Sequence, residues 1–341
     1  MATIKDIAKL CGVSEGTVDR AINDRAGINP ETKKRIMEVV EQVNYKPDRI
    51  AQSLAKGKTR TLGLIFFDLN NDFIAALVDT IETIAKEKGY FISLVLTHGI
   101  KEEEIKGINY LLERKVDGII VFPVGNQADY QELKINIPVI SIYNKISAQI
   151  PYVGVDAQSA MRDAIGYIAD CQYERVILVN SSITKKVKSG LNVYTLQERQ
   201  KGYIEGIEKN KINEEEGPLI VEGLDFRRMD ALYRKGQGKK TAFLCICDVF
   251  ALEVLTHFRE QAIRVPEDVG IMGFDNMSIR KYVSPQLTTL GYHMTEMAQK
   301  IFAYLMEMIH GSDIPKDTSF PCQIIEGNSL YYLSGCKCEK K

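Results

Sequence analysis

At 341 residues, with 45% hydrophobic and 26% charged residues, the chain is composed like a globular protein and is too long for one core, so two to three domains are expected. The composition excludes a disordered chain, and no apolar run approaches the ~20 residues of a membrane span. The net charge of −1 is unevenly spread: residues 1–60 carry twelve Lys or Arg against eight Asp or Glu, net +4, which leaves net −5 for the rest. A basic head on an acidic body suits local contact with phosphate.

The chain opens on two short amphipathic segments around a Gly12-Val13-Ser14 turn. Thr3 with Asp6 fits a capping box, Gly12 suits the reversal after a first helix, and Ser14 is placed to cap a second from Glu15. Ile4, Ile7, Ala8, Cys11, Val18, Ala21 and Ile22 recur at helical spacing, so each helix has a stripe to bury. This pattern predicts a helix-turn-helix, with an ordinary helical hairpin as the alternative. Ser14, Glu15, Gly16, Asp19 and Arg20 are the outward positions of its second helix. Asn29-Pro30-Glu31-Thr32 opens a third helix, and Ile36, Val39, Val40 and Val43 are expected to cover the first two. Asp48 is placed to cap a short helix from Arg49 to Ala55, on which Ile50, Ala51 and Leu54 share a face. One or two turns of helix are unstable alone in water. The alternative for this stretch is a flexible tether.

From Thr61 onward strands and helices alternate. Strand-like runs are Thr61–Phe67, Tyr90–Leu96, Gly118–Phe122, Val139–Ile142, Val176–Val179, Leu219–Val221, Ala242–Ile246 and Val269–Gly273. Helical patterns at Phe73–Lys88, Ile105–Arg114, Ala157–Cys171, Glu198–Asn210, Asp248–Gln261 and Thr295–His310 separate them. The succession predicts parallel, doubly wound sheets, yet the Gly-x-Gly-x-x-Gly of a dinucleotide site is missing. Ligands of such sheets bind beyond the carboxyl ends of strands.

Several motifs together carry a resemblance to the LacI/GalR (lactose-repressor) family of bacterial transcription regulators. These are the Thr3-Ile4-Lys5-Asp6-Ile7-Ala8 start, the Gly12-Val13-Ser14 turn and the Thr17-Val18-x-Arg20 run, followed by Asn44-Tyr45-x-Pro47 and Ala51-x-x-Leu54-Ala55. The resemblance covers nearly the whole chain. It implies an all-α helix-turn-helix head plus hinge helix, followed by a two-lobed α/β periplasmic-binding-protein-like domain of parallel doubly wound sheets. The expected divisions are a DNA-binding head at 1–46, a hinge helix and linker at 47–60, a two-lobed effector-binding and dimerisation domain at 61–331, and a polar tail at 332–341. Three crossings between lobes are expected near Asp156, Thr288 and Phe320, giving an N-lobe of about 61–156 and 289–320 and a C-lobe of about 157–288 and 321–331.

The resemblance assigns base reading to Glu15, Gly16 and Arg20. An Arg at 20 has the fork for guanine O6 and N7, and Glu15 has acceptors for cytosine N4. Thr3, Thr17, Asn23, Lys33 and Tyr45 are expected near phosphates, beside Ser14 and Asp19. Glu15, Gly16 and Asp19 depart from the common readers of the family, so operator preference does not carry over from relatives. In a dimer, paired hinge helices with Arg49, Ala51 and Leu54 are expected in the minor groove, with Leu54 wedged between base steps.

For the effector, the resemblance points to Asn71 and Phe73 after the first strand, with Asp72 replacing the usual Pro. It also points to Tyr143 with Asn144, where relatives carry an Asp, and to Arg199, three residues before Gly202. Cys247, Asp248, Asp275 and Tyr292 complete the expected set. Asp275 is the better-matched acceptor for adjacent hydroxyls, and Arg199 offers a planar fork for hydroxyls or a carboxylate. Other readings remain for three of them: Asp248 as a helix cap, Phe73 as core and Arg199 as a surface residue.

No secretory signal is visible at the start, and seven scattered cysteines suit a reducing cytoplasm. Cys245-x-Cys247 lies in an apolar run and Cys336-x-Cys338 in a lysine-rich tail without histidine, so neither metal nor cofactor is expected. The four histidines form no triad or metal spacing, which argues against an enzyme. The expected protein is a cytoplasmic, homodimeric DNA-binding repressor, which binds near-palindromic double-stranded DNA under control of a small polar, sugar-like effector. The alternative is a solute-binding protein for carbohydrate uptake, which would need a signal peptide and no helix-turn-helix.

Overall fold

A computed structural model describes residues 2–45, 58–70 and 72–331. The expected hinge helix with Arg49, Ala51 and Leu54, the effector candidate Asn71 and the polar tail lie outside the described residues. The chain divides into two compact units, on either side of the Thr59–Arg60 bond.

In the first unit, α1 (Ile4–Cys11), α2 (Glu15–Ile22) and α3 (Pro30–Gln42) form a three-helix head. Thr3 and Asp6 close a reciprocal capping box: the Asp6 amide donates to Thr3 Oγ1 at 3.3 Å, and the Thr3 amide to the Asp6 carboxylate at 2.9 Å. Gly12 ends α1 in the left-handed region at φ 62°, where a residue without Cβ carries no steric penalty. Ser14 caps α2 by accepting from the Thr17 amide at 3.2 Å, and Asn29 caps α3 with Pro30 at its first position. Ile7, Val18 and Ile36, one from each helix, are fully buried at the centre. The Arg35 guanidinium donates to the Cys11 carbonyl at 3.1 Å, so α3 also closes the end of α1.

The second unit is built on two six-stranded sheets. The first comprises β1 (Thr61–Phe66), β2 (Phe91–Leu96), β3 (Gly118–Val121), β4 (Val139–Ile142), β5 (Tyr152–Val155) and β11 (Asp317–Phe320). Its order is β11-β5-β4-β3-β1-β2, and every pair is parallel. The second comprises β6 (Arg175–Asn180), β7 (Leu219–Glu222), β8 (Thr241–Cys245), β9 (Gly270–Phe274), β10 (Thr288–Gly291) and β12 (Gln323–Ile325). Its order is β12-β10-β9-β8-β6-β7, parallel except for the β10–β12 pair. Strands so buried on both faces read as near-continuous apolar runs, which is how β1, β3, β6 and β8 stand in the sequence.

Helices α4 (Asp72–Glu87), α5 (Lys101–Glu113), α6 (Gln127–Gln131) and α12 (Met294–Ile309) belong to the first lobe. Helices α7 (Ala157–Asp170), α8 (Ile183–Lys188), α9 (Tyr194–Lys209), α10 (Phe226–Lys235) and α11 (Asp248–Glu260) belong to the second. Among the described residues no helix is long and apolar enough to cross a membrane.

The chain passes from the first lobe to the second after β5, where Asp156 caps α7 by accepting from the Ser159 amide at 3.1 Å. It returns after β10. Thr288–Leu290 pair in parallel with Met272–Phe274, so this segment is a strand of the second lobe. The passage expected near Thr288 runs through Tyr292 and His293 into α12, so 289–291 stay with the second lobe. A four-residue Thr-Thr-Leu-Gly strand carries no periodicity by which to choose its sheet. The last passage, from β11 to β12, runs through Pro321 and Cys322 beside Phe320.

Candidate functional site

On the head, Ser14, Glu15, Gly16 and Arg20 are exposed along α2, and Thr3 is exposed at the start of α1. Glycine at 16 is not required by packing: a Cβ there would meet nothing nearer than Ser14 Oγ at 3.8 Å. Thr17, half-buried, shares a hydroxyl contact of 2.9 Å with Ser14. Asp19 does not stand as a bare carboxylate on this face. Arg25 pairs with it at 3.1 Å, and Asn23 donates to its carboxylate at 2.7 Å and to its carbonyl at 3.0 Å. Asn23 is thus engaged within the head, and so is Lys33, whose ammonium pairs with Asp24. Tyr45 packs half-buried against the three-helix core.

In the second unit, the parallel strands of both sheets turn their carboxyl ends toward the boundary between lobes. The first lobe lines it with rings. Phe73 meets Tyr143 and Tyr292 edge-on at centroid distances of 5.5 and 5.7 Å, and Phe122 lies 5.1 Å from Tyr143. The hydroxyls of Tyr143 and Tyr292 are 2.8 Å apart, joining the end of β4 to the crossing segment after β10. Burial pushes both phenols well above their ordinary range, so they act as neutral hydrogen-bonding groups.

The second lobe supplies charge. Arg199, 7% exposed, lays its guanidinium over the Phe274 ring at 3.7 Å from the centroid. It donates to the Ile246 carbonyl and pairs with Asp275 at 3.4 Å, while its buried Nε finds no partner among the described residues. Burial raises the Asp275 carboxyl and the facing Arg199 charge opposes that rise. Cys247 lies beside this pair, its thiol pushed up to about 12 by burial, as is that of Cys322. Thiols so protonated are poor nucleophiles. Among the described residues no group of three His, Cys, Asp or Glu is placed to hold a metal ion.

The structure therefore brings together Phe73, Tyr143, Tyr292, Arg199, Cys247 and Asp275. Asp248 does not join them. It is fully buried inside the second lobe, and its two oxygens accept from the Met277 amide at 2.7 Å and Thr289 Oγ1 at 2.6 Å. This corrects its expected place among effector ligands, since neither oxygen faces the boundary. Nor is Asn144 open to a ligand on both ends: its amide donates to the Pro123 carbonyl at 3.1 Å and accepts from the Thr195 amide at 3.1 Å across the lobes.

Residues that sequence reasoning passed over complete the boundary. Asn126 donates to the Gly190 carbonyl at 2.6 Å, the Asn192 amide to Val124 at 2.8 Å, and the Asn192 side chain to Lys145 at 2.8 Å. The loop that carries Val124 and Asn126 is held by Glu104. This buried carboxylate accepts from the amides of Val124 and Gly125 at 2.6 and 2.9 Å and from the Tyr130 hydroxyl at 2.9 Å. Burial raises its carboxyl, against those three donors. The available signal was position: Asn126 follows β3 and Asn192 precedes α9, both polar residues just past element ends.

Comparison with known proteins bears on the family and the fold. Residues 3–48 match the bacterial regulatory proteins, lacI family, and residues 181–330 match the periplasmic binding protein-like domain. The HTH-type transcriptional repressor PurR of Vibrio atlanticus is 30% identical over 325 residues, spanning 93% of this chain and 94% of that protein. Catabolite control protein A of Priestia megaterium is 31% identical over 297 residues, spanning 84% of this chain and 86% of its own length. In fold, the chain superposes on the lac repressor dimer bound to operator and the anti-inducer ONPF with a TM-score of 0.82 at 20% identity, covering 97% of this chain and 99% of that one. The chain belongs to the LacI family: it is a DNA-binding transcription regulator with a small-molecule effector, and not an enzyme.

Proposed function

We propose that the protein is a cytoplasmic repressor that binds a near-palindromic operator as a homodimer, and that a sugar-like effector held between its lobes sets the strength of that binding. Glu15, Gly16 and Arg20 read bases, with Arg20 on guanine, while Thr3, Ser14, Thr17 and Tyr45 meet phosphates. Asn23 and Lys33 serve the head's own shape. Because Arg25 neutralises Asp19, only Glu15 sets a carboxylate against the duplex on this face. Glycine at 16 costs about 1 kcal/mol of helix propensity and nothing inside the head requires it, which supports close approach of α2 to a partner. Gly16→Ala is therefore expected to stabilise the head by roughly 1 kcal/mol while weakening DNA binding. Hydrogen exchange of α1–α3 and a mobility-shift titration measure the two effects.

The effector reading rests on the Arg199–Asp275 couple facing the rings of Phe73, Tyr143 and Tyr292. A saccharide offers vicinal hydroxyls for the carboxylate, oxygens for the guanidinium and C–H faces for the rings. Asn71 extends the set by resemblance alone. Control then follows from linkage: a ligand that prefers one arrangement of the lobes shifts the pairing of the hinge helices on DNA. Leu54→Ala is expected to leave effector binding intact and remove most operator affinity. Equal mobility-shift midpoints for the two proteins would exclude a Leu54 wedge. Thermal shift against D-glucose, D-ribose and sucrose, run in parallel on wild type and Asp275→Asn, tests the saccharide reading. A stabilisation of wild type that the variant loses supports it; no response from either rejects it.

A further inference from the structure

Asp248 is buried away from the boundary between lobes, yet its surroundings are specific. It opens α11, and its carboxylate occupies a slot that Gly273 leaves open: a Cβ at 273 would fall 2.1 Å from Asp248 Oδ1. From there it grips the two segments that frame the effector carboxylate. One oxygen takes the Met277 amide at 2.7 Å; the other takes the Thr289 hydroxyl at 2.6 Å. Between β9 and Met277 the chain makes a turn with two consecutive non-glycine residues at positive φ, Asp275 at 100° and Asn276 at 51°. Such backbone persists only where the surroundings hold it. The Asp275 amide donates to the Leu290 carbonyl at 2.8 Å, so the turn is pinned to β10 at one end and to Asp248 at the other. Arg280 adds a third tie, donating to Asn276 Oδ1 at 2.8 Å and to the Leu287 carbonyl at 2.9 Å.

We propose that Asp248 is a positioning residue for the effector site, whose buried carboxylate clamps the 275–277 turn to β10 and so presents Asp275 to Arg199 and the ligand. The value of that position to ligand binding rests on the reading of Asp275 and Arg199 as effector residues. The clamp also reaches the crossing, because Thr289 lies three residues before Tyr292 on the segment that returns to the first lobe. The charged and titratable groups facing Asp248 are Asp275, Arg280 and the thiols of Cys245 and Cys247. Burial pushes the Asp248 carboxyl up to about 7, against the Thr289 and Met277 hydrogen bonds. On protonation the acid donates to Thr289 Oγ1, whose own hydrogen turns to the Leu290 carbonyl at 3.3 Å, and the bond from the Met277 amide loses its charge assistance.

Hydrogen exchange of the full chain without ligand, followed in peptides covering 275–277 and corrected for intrinsic rates, tests the clamp. Asp248→Asn and Thr289→Val are each expected to speed exchange of this turn by roughly tenfold relative to β6 and β8. Wild-type protection of the turn is expected to fall as pH drops through about 7, and that pH dependence is expected to vanish in Asp248→Asn. Equal protection of the turn in all three proteins overturns the proposal, and so does a loss spread evenly over the second lobe. Because no ligand enters this comparison, it stands apart from the saccharide test: failure of D-glucose, D-ribose and sucrose to protect the cleft of wild type rejects the effector reading and leaves the clamp decided by exchange alone.

Discussion

Gly202→Ala is expected to lower the stability of the second lobe by about 2 kcal/mol, although the same substitution in an open helix stabilises. Helix α9 lies on α7, and a Cβ at Gly202 would fall 2.1 Å from the Gln158 carbonyl oxygen and 2.9 Å from its Cα. These are backbone atoms, which no rotamer change moves aside. One turn later a Cβ at Gly206 would lie 2.7 Å from Ile165 Cβ, so α9 presents two glycines to the helix beneath it. Alanine recovers about 1 kcal/mol of helix propensity, but lifting the helix forfeits packing along the contact, and overpacking against rigid neighbours costs about 1–3 kcal/mol before that loss is added. Arg199 sits on the same helix three residues earlier, so a lifted α9 also carries the guanidinium away from Phe274 and Asp275. Urea unfolding followed by far-UV circular dichroism measures the loss. A variant as stable as wild type would show that the helix contact is slack. Gly16→Ala is the opposite case, because nothing stands where its methyl goes.

Arg199→Ala is expected to abolish the effector response and to destabilise the second lobe by about 3–5 kcal/mol, since it leaves a buried carboxylate without its partner. Asp275 already has its carboxyl raised by burial against the opposing Arg199 charge. Without that charge its folded-state pKa rises further. A carboxyl whose pKa is higher in the folded state than in the unfolded one loses stability as pH rises from the unfolded value through the folded value. The deficit of Arg199→Ala relative to wild type is therefore expected to be smaller in acid and to grow toward neutral pH. Adding Asp275→Asn should restore much of the stability and none of the response, which separates burial cost from ligand recognition. Arg199→Lys is expected to resemble the alanine variant in response, because an ammonium cannot stack on Phe274 while also reaching the Ile246 carbonyl and Asp275. A pH-independent deficit, or a retained response in the double variant, would contradict this account of the pair. The head, a separate compact unit, is expected to keep its exchange protection throughout.

The head was legible because its determinants are local. Thr3, Gly12, Ser14, Asn29 and Pro30 act on residues one to four positions away, and Ile7, Val18 and Ile36 follow from helical spacing alone. The buried central strands were legible for a related reason: burial on both faces writes a continuous apolar run. The short strands β10, β11 and β12 carry no such run, and β10 joined the second sheet through register with β9. At the cleft, Arg199, Asp275, Tyr143 and Tyr292 came through resemblance, and the structure brings them together. Asp248 shows the limit. A carboxylate after a strand reads alike whether it faces a ligand or turns inward, and only the position of Met277 and Thr289, reached through later elements, decides. Asn126, Asn192 and Glu104 were invisible for the same reason: their partners lie in the other lobe or twenty or more residues away in sequence.

Selection of bound sequences from a pool of random duplexes, using the full chain with and without each candidate saccharide, tests the regulator account most directly. One near-palindromic site, its two half-sites related by the two-fold axis of a dimer, is expected to be enriched, to be lost on Arg20→Ala, and to be recovered to a different extent with the saccharide that stabilises wild type but not Arg199→Ala. No enrichment above the starting pool, or enrichment unaffected by Arg20→Ala, would contradict it.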